Sequence, residues 1–400
     1  MSELFWIVFG VYILYIIAKI YISFGQISFL EAQDPNHPVL LNSSDYKISR
    51  AYALEKERFG IYESLFELFL LVFWIRNGFD LLYNLAKLGS WHLNGLFFVS
   101  GFFIISFLLG LPFEMYQKFG IDARYGFNKS SFKLFLIDKL KQSLMFLLIA
   151  TPLFYATAIF ITTFEKWWII VFVMLMSVVI LANMLYPTIF APMFNKFIPI
   201  EDGELKNAIE ETAKAAGFEI GGIFKIDAGK RDSRLNAYFS GFGKTKRVAL
   251  YDTLIEKLSI EEICAVLAHE FGHYKRGDIF KGMLSAAVML SAFCYGFSHV
   301  PAIALESIGL IPDAYGLIVF FMIFSTAISF FIQPLVNLIY KMNEFGADRF
   351  SRNMGYRDEL ISALTKLSSE NKVFPKSSKL YGFFYHTHPP VLDRIEALKA

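Results

Sequence analysis

His269-Glu270-Phe271-Gly272-His273 places two imidazoles four residues apart with a carboxylate between them. Residues i and i+4 share one face of a helix, so His269 and His273 can reach a single tetrahedral metal while Glu270 stands beside them as a proton acceptor. The pattern predicts a zinc-assisted hydrolytic site, in which zinc supplies acidity and the carboxylate takes a proton from water. Its surroundings predict a well-formed helix of about seventeen residues. Ser259 and Glu262 form a capping box, Ile260, Ile263, Val266, Leu267 and Phe271 recur at helical spacing, and Lys275 and Arg276 precede Gly277 at the expected end.

The rest of the 400-residue chain is too apolar for a water-soluble fold. Hydrophobic residues make up 55%, 45 of them Phe, the mean hydropathy is +0.46, and they cluster in long runs. Seven stretches are long enough to cross about 30 Å of hydrocarbon: residues 4–24, 61–83, 93–113, 143–163, 167–188, 282–304 and 315–340. The second is unusual in carrying Glu63, Glu67, Arg76 and Asp80. The first lacks a preceding basic region and reads as a retained span rather than a cleaved signal.

Seven spans put the two termini on opposite sides of the membrane. Lys and Arg number four in residues 25–60, six in 114–142, fourteen in 189–281 and ten in the tail, whereas the opposite side has Lys87 and Lys166 alone. This asymmetry predicts that the histidine motif and the carboxyl terminus face the cytoplasm. Trp167 and Trp168, next to Lys166, read as interfacial anchors. Topology accounts for the basic residues, and with a net charge of +2 nothing supports nucleic-acid binding. Cys264 and Cys294 fall on different predicted helices and read as small buried apolar groups, which fits a reducing cytoplasmic face.

Between the fifth span and the motif lies a compact polar segment. It predicts a turn over Asn195 to Gly203, an amphipathic helix over 204–216 and a strand from Ile223 to Asp227. Leu235 to Ser240 and Arg247 to Tyr251 are β-favouring runs separated by Gly241-Phe242-Gly243-Lys244, the pattern of a hairpin or near-hairpin. A free edge along Asn236, Ala237, Tyr238 and Ser240 suits an extended peptide added as a further strand; a purely structural hairpin is the alternative.

A catalytic zinc takes three protein ligands and keeps one position open. Glu344 is the candidate third ligand, since it follows the seventh span and emerges at the interface where the motif helix lies. Asp348 shares its face one turn on and is suited to orient a histidine or to protonate a leaving amine. Small Gly346 and Ala347 permit a close helix contact. Near the end, His388 is the candidate donor to a developing oxyanion, with Arg394 holding the site together.

With His269 to His273 and Glu344-Phe345-Gly346-Ala347-Asp348 both in place, the chain resembles the type I CAAX prenyl endopeptidases, integral-membrane zinc metalloproteases. The resemblance extends over nearly the whole chain. It includes Arg124-Tyr125-Gly126-Phe127-Asn128-Lys129, Asn195-Lys196-Phe197, Glu201-Asp202-Gly203, Asn236-Ala237-Tyr238 with Ser240-Gly241, and His388-Pro389 with Arg394.

The resemblance implies one zinc per chain on His269, His273 and Glu344, Glu270 as catalytic base and Asp348 as a proton donor. It also implies a predominantly α, polytopic membrane fold: seven transmembrane helices enclosing a water-filled chamber, with a zincin-like catalytic domain that contains a small sheet. Such a chamber would account for the ionisable residues of the second span, although Arg76 and Asp80 could equally form a simple i, i+4 pair. The expected division is an N-terminal membrane domain over 1–190 with five spans and a peptidase domain over 191–400 with two more. Expected partners are peptide or protein substrates, prenylated ones included, and membrane lipid. The carboxyl terminus carries no endoplasmic-reticulum signal, which favours a bacterial inner membrane. Two rival readings are a stress-type membrane-protein quality-control protease and a non-proteolytic chamber or transport protein.

Overall fold

The computed structural model describes residues 3–241 and 246–400, so Phe242, Gly243 and Lys244 of the expected turn lie outside the described residues. Long helices dominate. α1 (Glu3–Glu31) is followed by α2 (Ser43–Phe73), which runs through a π-helical turn at Trp74–Gly78 into α3 (Phe79–Leu85). α4 (Trp91–Met115), α5 (Phe132–Thr163) and α6 (Trp167–Leu185) complete the amino-terminal bundle. Asn42, Ser90 and Ser131 cap α2, α4 and α5 by accepting from the third backbone N–H onward.

Six helical segments among the described residues are long and apolar enough to cross a membrane. The α2 to α3 rod is the seventh long helical element, and its charges set it apart. Lys19 of α1 donates to both oxygens of Glu67 at 2.8 Å, and the Tyr15 hydroxyl donates to the same carboxylate at 3.1 Å. A polar pair between rods is how an ionisable residue is accommodated among apolar helices. Arg76 and Asp80 are both exposed, and no ion pair joins them among the described residues.

The polar segment after α6 folds as a four-stranded sheet: β1 (Phe197–Pro199), β2 (Ile223–Ile226), β3 (Ala237–Ser240) and β4 (Arg247–Tyr251), in the order β1-β2-β4-β3. β3 and β4 pair antiparallel, as expected of a hairpin, whereas β2 pairs parallel to β4. α7 (Glu204–Ala215) crosses between β1 and β2. β3 therefore lies at an edge.

After the short α8 (Asp252–Lys257) comes the motif helix, α9 (Ile260–Lys275), with both capping-box bonds of Ser259 and Glu262 formed. Its apolar face enters one core with the sheet and α7 through Ile263, Leu267 and Phe271, packed against Val248, Leu250 and Ile209. Phe271 is fully buried, a contribution of about 1.5–3 kcal/mol relative to exposure.

Gly277 ends α9 with a positive φ of 66°, a conformation glycine adopts without steric cost, and α10 (Asp278–Ser298) starts at once. α11 (Ala302–Ser307) leads to α12 (Ala314–Asn353), one 40-residue helix that continues beyond its apolar half. The expected seventh span is thus the first part of a longer rod that carries Glu344 and Asp348 without a break. α13 (Arg357–Glu370), α14 (Lys379–Tyr385) and α15 (Val391–Lys399) close the chain. Asn337 and Lys341 of α12 donate to the Phe384 and Gly382 carbonyls, which docks α14 on the rod just ahead of Glu344.

Candidate active site

Two helices build the centre. α9 presents His269, Glu270 and His273 on its polar face, and α12 crosses it closely at Gly272. A Cβ added at Gly272 would lie 3.0 Å from both the Ala347 Cα and the Phe350 Cβ. The Ser351 hydroxyl donates to the Ala265 carbonyl at 2.9 Å and fixes the same crossing. Gly346, expected at this contact with Ala347, makes room for the guanidinium of Arg276, which ends α9.

Close approach brings three donor atoms together. His269 Nε2 and His273 Nε2 are 3.2 Å apart, Glu344 Oε1 is 3.2 Å from His273 Nε2, and Glu344 Oε2 is 3.5 Å from His269 Nε2. Nitrogen and oxygen ligands about 2.0–2.1 Å from a tetrahedral ion lie about 3.3–3.4 Å from one another, so this triangle has the dimensions of a metal site.

The outer contacts fit the same interpretation. His269 Nδ1 lies 2.8 Å from Asp348 Oδ1, and His273 Nδ1 lies 3.1 Å from Asp278 Oδ2. When each Nδ1–H donates to its carboxylate, the two Nε2 lone pairs point at one another, an arrangement that a cation between them stabilises. Glu344 Oε2 is buried without a hydrogen-bond partner among the described residues, as the donor set for a cation requires.

Arg394 of α15 completes the support. Nearly buried, it donates from two nitrogens to Asp348 at 2.7 and 2.9 Å, and its third nitrogen lies 3.4 Å from Glu344 Oε2. His388 Nε2 is 3.2 Å from Glu344 Oε1, with the Thr387 hydroxyl 2.9 Å from its Nδ1. A cavity of about 470 Å³ opens onto Glu270 and is lined also by Asn236, Ala237, His388 and Arg394, with Leu360, Leu364 and Leu367 as an apolar wall. Among the described residues, Glu270 accepts no hydrogen bond from a side chain.

Comparison with known proteins covers the full chain. Residues 37–196 match the model described as CAAX prenyl protease N-terminal, five membrane helices, and residues 199–400 match Peptidase family M48. The CAAX prenyl protease 1 homolog of Arabidopsis thaliana is 32% identical, covering 98% of this chain and 96% of its own length. The chain belongs to peptidase family M48.

CAAX prenyl protease 1 of Saccharomyces cerevisiae is 31% identical over 90% of this chain and 88% of its own. The crystal structure of S. mikatae Ste24p superposes with a TM-score of 0.90 at 28% identity, covering 100% of this chain and 99% of that one. This M48 peptidase is a multi-pass membrane metalloendopeptidase, and the likeness to Ste24p bears out its predominantly helical membrane fold with a small sheet.

Within the M48 peptidase, His269, His273, Glu344, Asp348, Arg394 and His388 converge although they come from three separate parts of the chain. Asn236 and Ala237 line the cavity beside them, while Tyr238 and Ser240 lie further along the edge strand and outside the lining. Asp278 escapes a reading of the sequence. Its only signal there is Gly277, which turns the chain so that the next residue returns to His273.

Proposed function

We propose that this peptidase is a zinc endopeptidase that cuts peptide chains at the cytoplasmic face of its membrane, with zinc held by His269, His273 and Glu344 and with Glu270 as general base. The triangle of donors spaced for a tetrahedral ion, with Glu270 one residue away on a cavity wall, carries the proposal. Three protein donors with an open side suit catalysis, whereas a structural zinc is closed by a fourth, and no fourth His, Cys, Asp or Glu joins this group among the described residues.

When bound, the ion supplies Lewis acidity at the open position, where it polarises a peptide carbonyl and acidifies a water. Glu270 accepts the proton of the attacking water and returns it to the leaving amine. Desolvation pushes its carboxyl above the ordinary value, opposed by the nearby charges of His269 and His273, which brings it closer to the working pH of a base. When the Thr387 hydroxyl donates to Nδ1, His388 carries its proton on Nε2, the nitrogen that stands 3.2 Å from Glu344 Oε1 and beside the place where oxyanion charge develops. Asp348 acts by orientation: its oxygens accept from Arg394 and face His269, which leaves it poorly suited as a proton donor.

The peptide lies extended along the β3 edge at Asn236, Ala237, Tyr238 and Ser240. The names of the relatives support carboxyl-terminal tails of prenylated proteins as the substrate class, with membrane lipid around the apolar rods. The two matched segments meeting between residues 196 and 199 support a division into a membrane domain over about 1–190 and a peptidase domain beyond it. The charge asymmetry supports the cytoplasmic orientation, and a bacterial inner membrane remains the proposed residence; cysteine accessibility and membrane fractionation test both.

Purified enzyme offered a farnesylated peptide and its unprenylated twin tests the substrate. Preference for the farnesylated form supports prenyl processing. Equal cleavage of both overturns it in favour of general membrane-protein quality control.

A further inference from the structure

We infer that Asn371 ends the substrate-pairing edge of β3 and thereby sets how many residues fit on the carboxyl-terminal side of the bond that is cut. The inference rests on the proposed binding of peptide along that edge.

In the β3–β4 pair the Tyr251 N–H donates to the Asn236 carbonyl at 3.0 Å, and Tyr238 stands opposite Ala249. Backbone polar groups alternate in direction along a strand, so those of Asn236 and Tyr238 turn toward β4 while those of Leu235, Ala237 and Phe239 turn outward. At Leu235 the outward edge is already taken. The Leu235 N–H donates to Asn371 Oδ1 at 2.8 Å, and Asn371 Nδ2 donates to the Leu235 carbonyl at 3.1 Å. One side-chain amide makes the two bonds that a residue of a neighbouring strand would make.

The amide is firmly placed. Asn371 stands at the carboxyl end of α13, its own N–H held by the Leu367 carbonyl at 3.0 Å, and both Asn371 and Phe374 line the cavity that holds Glu270. Ala237, the next outward position, has its N–H taken by Asn236 Oδ1 at 2.9 Å and lines the same cavity.

A peptide added antiparallel to β3, the more stable pairing, runs from Ser240 toward Leu235 and brings its carboxyl-terminal end to Asn371. Ala237 and Leu235 are about 7 Å apart along the strand, so a tail bound opposite Ala237 has room for about two residues before it meets the amide. The site is built for short carboxyl-terminal tails, and among the described residues no side-chain amide closes the outward edge at Phe239 on the amino-terminal side.

The test is a set of quenched fluorescent peptides that share the residues around the cleaved bond and are lengthened one residue at a time, in one series after the bond and in another before it. Wild-type kcat/KM should fall about tenfold once the tail passes the limit, the worth of about one hydrogen bond, and should stay level as the amino side grows. Asn371→Ala should flatten the tail dependence while still cutting short tails. Asn371→Asp, which keeps the acceptor for Leu235 and loses the donor, should flatten it in part and serves if the alanine variant does not fold. A purely structural role would lower all lengths equally and would overturn the inference, as would wild-type cleavage indifferent to tail length or limited on the amino side. Cleavage that survives Glu270→Gln overturns the proposed role of Glu270, and none by wild type on any peptide overturns the proposed binding of peptide along β3 on which the inference rests.

Discussion

Asp348 Oδ1 stands 2.8 Å from His269 Nδ1 while Arg394 grips both oxygens of the same carboxylate. The pair fixes the ring of His269 and the nitrogen that carries its proton, and so the direction of its Nε2. Asp348→Ala should weaken metal binding about 10- to 100-fold and leave Arg394 buried without its partner, at a cost of about 3–5 kcal/mol. Metal retention against a chelator series and thermal unfolding in detergent measure the two effects.

Arg394→Lys keeps the positive charge and loses the two-pronged geometry. Because a lysine ammonium cannot hold both oxygens of Asp348 as a planar guanidinium does, kcat should fall with a smaller loss of stability than in Asp348→Ala. Steady-state kinetics beside thermal unfolding separate the two; equal loss in both variants would count against a role in alignment.

Gly272→Ala puts a methyl group 3.0 Å from the Ala347 Cα. Backbone on one side and a Cβ on the other cannot yield cheaply, so α9 and α12 must part, costing about 1–3 kcal/mol and moving Glu344 from the histidines. Lower metal content together with a lower Tm is the expected result. An enlargement at Gly10, with nothing within 4 Å, should change neither.

Much of this site is legible in the sequence because its parts are local or stand where a helix leaves the membrane. The capping box at Ser259 and Glu262, the two histidines one turn apart, and Glu344 with Asp348 past the seventh span follow from periodicity and spacing alone. Asp278 and Asn371 do not. Each acts through a contact that depends on a turn, at Gly277 in one case, and in the other on the meeting of a helix end with the segment that leads into β3, 136 residues away. The parallel pairing of β2 with β4 is hidden for the same reason, since short apolar runs specify strands but not their partners. The charged second rod reads ambiguously because the partner of Glu67 is on another helix, Lys19 of α1.

His386 gives a dependence on pH away from the proposed metal ligands. Burial, aided by the positive charge of Lys341, pulls its imidazole down to about 4. An unfolded histidine titrates near about 6.5, so between there and about 4 the unfolded chain binds the proton first. The contribution is fully present above about 6.5 and is lost as pH falls through that window. Tm should drop from pH 7 to pH 5 by more in the wild type than in His386→Phe, and equal drops would refute this assignment.

The most direct test measures zinc content and peptide cleavage on the same preparations of wild type and Glu270→Gln. About one zinc per chain in both, with cleavage by the wild type and a loss of at least about a hundredfold in the variant, is the predicted result. Wild-type protein that binds no zinc, or a Glu270→Gln variant that cleaves as fast as the wild type, would contradict the assignment of this site.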